Sequence, residues 1–215
     1  MPAAPRFGSQ QIYNVMREFM EFIERDYNHP SLITWVPLNE SWGVRNIYVD
    51  SQQQNFAAAL YHTAKALDPI RLVSSNDGWE QITDTDIYGL HDYTAYEDQL
   101  IANYNNPKDA LERNVCHRMS GVQNIHYDPE KPIMVTEYGG IAFTDPDGKN
   151  WGYNGSVTTQ EEFLNRYDNI TTAFKKLPYV WGYCYTQLTD VSQEINGLMT
   201  MDRKFKVDPN AVLEI

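Results

Sequence analysis

Short apolar runs, each following a stretch with helical periodicity, set the main constraint on what this 215-residue chain can fold into. Residues 9–26 place Ile12, Val15, Met16, Phe19, Met20, Phe22 and Ile23 at helical spacing, with Ser9 as the expected cap. Asn28-His29-Pro30 then turns the chain into an apolar run at 31–38. Leu32, Ile33, Trp35, Val36 and Leu38 there read as a strand buried on both faces. A helix over 51–67, strands at 71–75 and 86–90, a polar stretch over 92–106 and a helix around 109–122 follow. A strand at 132–136, a long loop over 139–158, a helix over 159–176 capped by Thr158 or Thr159, and a strand at 180–185 complete the pattern. Strands alternating with helices demand a parallel sheet with right-handed crossovers, and hence an α/β fold.

Two of these runs end in glutamate. SLITWVPLNE (31–40) closes on Glu40 and PIMVTE (132–137) closes on Glu137. A carboxylate at the carboxyl end of a buried parallel strand is lifted to the sheet rim, where α/β folds do chemistry. A lone glutamate there can simply cap or salt-bridge a neighbouring element. Two that face each other supply what glycosidic cleavage needs: one protonates the leaving oxygen, the other attacks the sugar carbon or activates water. One of them must be protonated at neutral pH, which mutual repulsion and burial under aromatics would bring about. The loop over 139–158, rich in Gly, Asp and Asn, is too long for a plain connector and reads as a lid or binding loop.

The charge balance narrows the partners. A net charge of −12 repels nucleic acid and anionic membrane surfaces alike, so a neutral ligand fits better. Five Trp and fifteen Tyr suit stacking on pyranose faces, although most must pack ordinary core. Cys116 and Cys184 sit in unrelated contexts and read as small, buried or half-buried side chains, not as a disulfide or a metal cluster. The reading calls for no cofactor and no metal, and the compartment stays open. At this length the chain is expected to form one domain, 1–215.

WVPLNESWG (35–43) and PIMVTEYGG (132–140) resemble the Asn-Glu acid/base motif and the Thr-Glu-Tyr-Gly nucleophile motif of glycoside hydrolase family two, the β-galactosidase and β-glucuronidase family. DIYGLHDYT (86–94), PYVWGYCYTQLTD (178–190) and QEINGLMTMDRK (193–204) follow in the family's order, so the resemblance runs over nearly the whole chain. It implies a partial (β/α)8 TIM barrel, about strands four to eight with their helices. It makes Met1 an internal methionine of a longer enzyme and leaves residues 1–215 alone inactive or nearly so. It implies association through unpaired strand edges, with another copy or with the remainder of a longer chain.

The resemblance also implies roles. Glu40 is the acid/base, Glu137 the nucleophile, Asn39 the partner of the sugar 2-hydroxyl, and Tyr93 the hydrogen-bond donor to the nucleophile. His91, two residues before Tyr93 and so pointing the same way on an extended chain, either lines the sugar pocket or satisfies a backbone carbonyl. Tyr185 takes the place of an aromatic platform that is usually Trp in relatives, with Trp181 a competitor. Trp42 and Trp79 either form outer subsites or pack under loops. Glucuronide-specific members carry an Asn-x-Lys pair where this chain has Glu194-Ile195-Asn196, which favours a neutral sugar, galactoside first. A non-catalytic carbohydrate-binding or assembly module and an endo-acting barrel hydrolase are the competing readings.

Overall fold

Helix α1, Ser9–Asp26, opens the chain in this computed structural model, which describes residues 7–114, 128–145 and 147–215. The span matches the periodicity, but Ser9 is the first helical residue and Gly8 the cap, without a side-chain bond. Phe19 and Ile23 point into the core, and Phe22 meets the Trp35 ring edge-on at 5.6 Å. Helix α2, Ser51–Leu67, starts where the Asp50 carboxylate accepts the Gln52 N–H at 2.9 Å.

Between these helices the expected strand over 31–38 shrinks to β1, Thr34–Trp35, paired in parallel with β2, Leu72–Val73. Pro37 has no N–H, so the ladder breaks there and resumes only as a bridge between Asn39 and Asp77. The expectation of burial on both faces also fails. Trp35 and Leu38 are buried, whereas Ile33 is 67% and Val36 38% exposed, because β1 has a single partner strand among the described residues.

By its contacts the chain divides into two compact units, one of Met1–Leu90 with Leu111–Met134, the other of His91–Ala110 with Val135–Ile215. In the first, Phe19, Ile23, Trp35, Leu38, Phe56, Leu60 and Val73 pack into one apolar cluster between α1, α2 and the short strands. Each fully buried large side chain there contributes roughly 1.5–3 kcal/mol. Its polar seam is built on Asp68, which is buried at the end of α2. The Asp68 carboxylate accepts the Trp35 indole at 2.9 Å and the Arg71 guanidinium at 2.7 Å. Arg71 in turn donates to the carbonyls of Leu32 and Tyr27, tying the exit of α1 to β1. Asp86 forms a second junction, accepting from Tyr61, Lys65 and the Val73 N–H, so the strand expected from 86 begins only at Tyr88.

Strands β3, Tyr88–Asp92, β4, Ile133–Gly139, and β7, Val180–Thr186, make a three-stranded sheet in the order β3-β4-β7. The polar stretch over 92–106 holds an unforeseen helix, α3, Glu97–Asn103, whose seven residues are too few for a legible period. Packing sustains it: Leu100 and Tyr104 are buried, and Lys176 reaches Glu97 at 2.7 Å. Helix α4, Pro107–Asn114, begins on a proline at its first position, and the remainder of the helix expected to 122, with Cys116, lies outside the described residues.

The loop over 139–158 contains two short parallel strands, β5, Ala142–Phe143, and β6, Ser156–Val157. Helix α5, Gln160–Lys175, follows with a full capping box between Thr159 and Glu162. Tyr104, Tyr138, Phe163, Ile170 and Phe174 form the core of this unit. Cys184 is exposed rather than buried, because β7 ends the strand order and its outer side chains lack a neighbouring strand among the described residues. Trp181 is 78% exposed for the same reason. Helix α6, Pro209–Glu214, is capped by Asp208.

Burial alone would push the Asp68 carboxyl upward, but the Arg71 and Trp35 hydrogen bonds and two backbone N–H groups outweigh it and bring the carboxyl down to about 2. A depressed folded-state value means stability present above the ordinary carboxylate range and lost as pH falls from about 4 toward 2. Asp68→Asn should therefore cost roughly 1–3 kcal/mol at pH 7, with the deficit shrinking through that acid window. Denaturant unfolding of both proteins at pH 7 and pH 3 checks this. An equal deficit at both values would remove the carboxylate from the account.

Candidate active site

Glu40 sits in a turn that the chain does not adopt cheaply. The Trp42 N–H donates to the Asn39 carbonyl at 2.9 Å, and both central residues have positive φ, Glu40 at 51° and Ser41 at 55°. Such left-handed geometry costs a non-glycine residue roughly 1–2 kcal/mol. Buried polar partners hold it. The Ser41 N–H donates to the Asn76 side-chain oxygen at 3.0 Å, and the Asn76 amide returns a bond to Ser41 Oγ at 2.9 Å. Ser41 Oγ donates to the Glu80 carboxylate, and the Asn76 amide also reaches the Glu80 carbonyl at 2.6 Å. The Glu40 N–H is fixed on the Asp77 carbonyl at 2.9 Å.

Around this turn, Asn39 is exposed, Glu40 half-buried and Trp79 half-buried in the loop after β2. The Trp42 indole donates to Glu40 Oε2 at 3.3 Å, and the Arg45 guanidinium lies 4.7 Å above the Trp42 ring. The sequence reading overlooked Ser41, Asn76 and Glu80. The signal was present in two small polar residues, Ser75-Asn76, and an acid, Glu80, flanking a strand end, a place where polar side chains must find partners.

In the second unit, strand periodicity decides which side chains meet. Ile133, Val135 and Glu137 share one face of β4, and Tyr138 turns to the other. There the Tyr138 hydroxyl meets Thr171 of α5 at 2.8 Å and its ring meets Phe174 edge-on at 5.1 Å. The Glu137 carboxylate accepts the Tyr93 hydroxyl, and His91 Nδ1 lies 3.4 Å from it. His91 is buried, while Glu137 keeps about a quarter of its side chain open. Burial, then the Glu137 bond and charge, push the Tyr93 hydroxyl far above its ordinary range, so Tyr93 serves as a donor throughout the physiological range.

Tyr93 is itself held by a stacked ring, Tyr153, at 4.2 Å, from the long loop. Gly140 makes that approach possible. With φ at 64°, a Cβ there would fall 2.9 Å from the Tyr93 ring and 2.7 Å from Tyr153, so both backbone and space require glycine.

Tyr185 is not brought to this face. Its hydroxyl bridges the Asn196 carbonyl and the Ile141 N–H, and its ring packs edge-on against Tyr138 and Tyr167. Burial raises its hydroxyl well above the ordinary value. Trp181 lies on the same side of β7 by periodicity. The platform expected from Tyr185 or Trp181 therefore finds no support in their placement.

No curated protein sequence matches the chain closely enough to count as a relative. Among solved structures, Faecalibacterium prausnitzii β-glucuronidase is similar at 20% identity and a TM-score of 0.62, covering 91% of this chain and 33% of that one. Bacteroides uniformis β-glucuronidase 2 covalently bound to cyclophellitol-6-carboxylate aziridine is similar at 21% identity and a TM-score of 0.61, covering 91% and 25%. Ruminococcus gnavus β-glucuronidase is similar at 18% identity and a TM-score of 0.62, covering 94% and 34%. The chain thus spans a quarter to a third of the length of these proteins. At these identities the likeness speaks for the fold, a partial (β/α)8 barrel. The profile of the glycosyl hydrolases family 2 TIM barrel domain matches residues 8–212, and on that match the chain belongs to glycosyl hydrolase family 2.

Proposed function

We propose that the chain carries the catalytic residues of a retaining, exo-acting β-glycosidase, with Glu137 as nucleophile and Glu40 as acid/base. The observation that carries this reading is the Glu137 carboxylate at the end of β4, held by the Tyr93 hydroxyl and faced by His91, in a member of this family. A carboxylate fixed by a neutral donor stays ionised and aimed, as a nucleophile must be. In the first step Glu137 attacks the anomeric carbon while Glu40 protonates the departing oxygen. In the second, Glu40 takes a proton from a water whose oxygen bonds to the anomeric carbon, which breaks the bond to Glu137 and releases the sugar. Asn39 beside Glu40 supplies the donor for the sugar 2-hydroxyl, and the exposed Trp42 offers a stacking face.

Kinetics in an active polypeptide that contains residues 1–215 test the assignment. Glu137→Gln should abolish the glycosyl-enzyme intermediate on every substrate. Glu40→Gln should slow glycosides with poor leaving groups by roughly 10²–10⁴-fold while sparing activated aryl glycosides in the first step, since these need little protonation. Equal losses on both substrate types for Glu40→Gln would refute the acid role.

For the sugar, a neutral β-galactoside is the first choice. Asn196, in the region where glucuronide-specific members place their cation, is fully buried and donates to the Thr186 carbonyl. The nearby Lys206 is taken up by Asp190 at 2.6 Å and the Ile195 carbonyl at 2.7 Å. Among the described residues of this region a sugar carboxylate would therefore lack a cationic partner and be penalised. The similarity to three β-glucuronidases favours a glucuronide as the second reading. Comparison of kcat/KM for aryl β-galactoside and aryl β-glucuronide separates them: the first should exceed the second by at least roughly tenfold, the effect of one unpaired charge. A preference for the glucuronide would overturn the neutral-sugar choice and leave the catalytic pair standing.

A further inference from the structure

We infer that Glu80 is a positioning residue, which sets the aim of the Glu40 carboxyl by clamping the left-handed turn at Glu40-Ser41. The inference rests on the reading of Glu40 as the acid/base, and it goes beyond that reading in naming what holds the acid in place. Glu80 is 5% exposed, an ionisable group that the two-step chemistry does not use. A buried carboxylate is retained only where its hydrogen bonds offset the loss of water. The bond it receives comes from Ser41 Oγ, on the residue next to Glu40.

The geometry makes a closed figure. Ser41 offers its hydroxyl to Glu80 and its N–H to Asn76, and Asn76 returns its amide to Ser41 Oγ and to the Glu80 carbonyl. Ser41, Asn76 and Glu80 are all buried, so these bonds form away from competing water. Two consecutive non-glycine residues at positive φ would otherwise relax toward the right-handed or extended regions. Relaxation of the turn would change the backbone angles of Glu40 together with those of Ser41, and so swing the Glu40 side chain. The clamp therefore acts on Glu40 through the backbone of the turn.

The neighbouring indoles give a direct readout in the 215-residue chain. The Trp42 indole donates to the Glu40 carboxylate at 3.3 Å, so its N–H resonance should shift as Glu40 titrates. The Trp35 indole, donating to the buried Asp68 at 2.9 Å, reports whether the surrounding fold survives. With ¹⁵N-tryptophan label and Glu40→Gln as the blank, Glu80→Ala should lose most of the pH-dependent shift of Trp42 and leave the neutral-pH Trp35 resonance in place. Glu80→Gln, which keeps an acceptor for Ser41 Oγ, should restore the titration. Where Glu80→Ala also displaces Trp35, Ser41→Ala removes only the hydroxyl and carries the same expectation. A wild-type Trp42 titration in Glu80→Ala, or in Ser41→Ala where that variant decides, would overturn the inference. So would failure of Glu80→Gln to rescue with Trp35 intact. These results concern the aim of Glu40 alone, while the leaving-group dependence of Glu40→Gln tests its acid role, so either can fail without the other.

Discussion

The surroundings of Glu137 depend on the two-residue period of extended backbone. It places His91 and Tyr93 on one side of the β3 line and Glu137 on one side of β4, where the tyrosine hydroxyl and the imidazole meet a single carboxylate. A shift of one residue in β4 would exchange Glu137 for Tyr138 and bury the carboxylate against Phe174 and Thr171 on α5. The apolar packing of Tyr138 against the helix therefore fixes the register that presents Glu137. The long loop adds to this by stacking Tyr153 on Tyr93, which the absence of a side chain at Gly140 permits.

Glu40 is held by a different kind of device. Its strand is only two residues long, since Pro37 interrupts the ladder, and regular pairing cannot aim it. The turn after it is instead fixed by buried side-chain bonds among Ser41, Asn76 and Glu80, arranged around two backbone conformations that non-glycine residues seldom adopt. One carboxylate is thus set by sheet register and the other by a polar clamp. The two solutions differ in vulnerability: the first fails through packing changes, the second through loss of one hydrogen bond.

Long amphipathic segments were legible from residue spacing alone. Helices α1 and α2 run over the residues their apolar periods mark, and Thr159 caps α5 as its sequence indicates. The errors cluster where tertiary context overrides local pattern. Helix α3 is too short to show a period and relies on Leu100, Tyr104 and the Lys176 to Glu97 bond. The run over 31–38 looks like a buried strand, but burial needs neighbours on both sides, and Ile33 and Val36 lack them among the described residues. The meeting of Tyr93 and His91 at Glu137 was legible because residues two apart on an extended chain point the same way. Tyr185 was misplaced because the motif marks a position along β7 and not the side to which the ring turns. Glu80 and Tyr153 escaped notice because their partners lie 39 and 60 residues away in the sequence.

The central claim is that Glu40 and Glu137 act on one glycosidic bond by double displacement. The separation of their carboxyl groups, measured by crystallography with a β-galactoside bound, tests it most directly. The account predicts about 5–5.5 Å, the spacing that lets one carboxylate attack the anomeric carbon while the other serves the leaving oxygen. A separation of about 6.5–9.5 Å would contradict the nucleophilic role of Glu137, because it leaves room for an intervening water. A separation beyond about 10 Å would contradict the paired chemistry altogether.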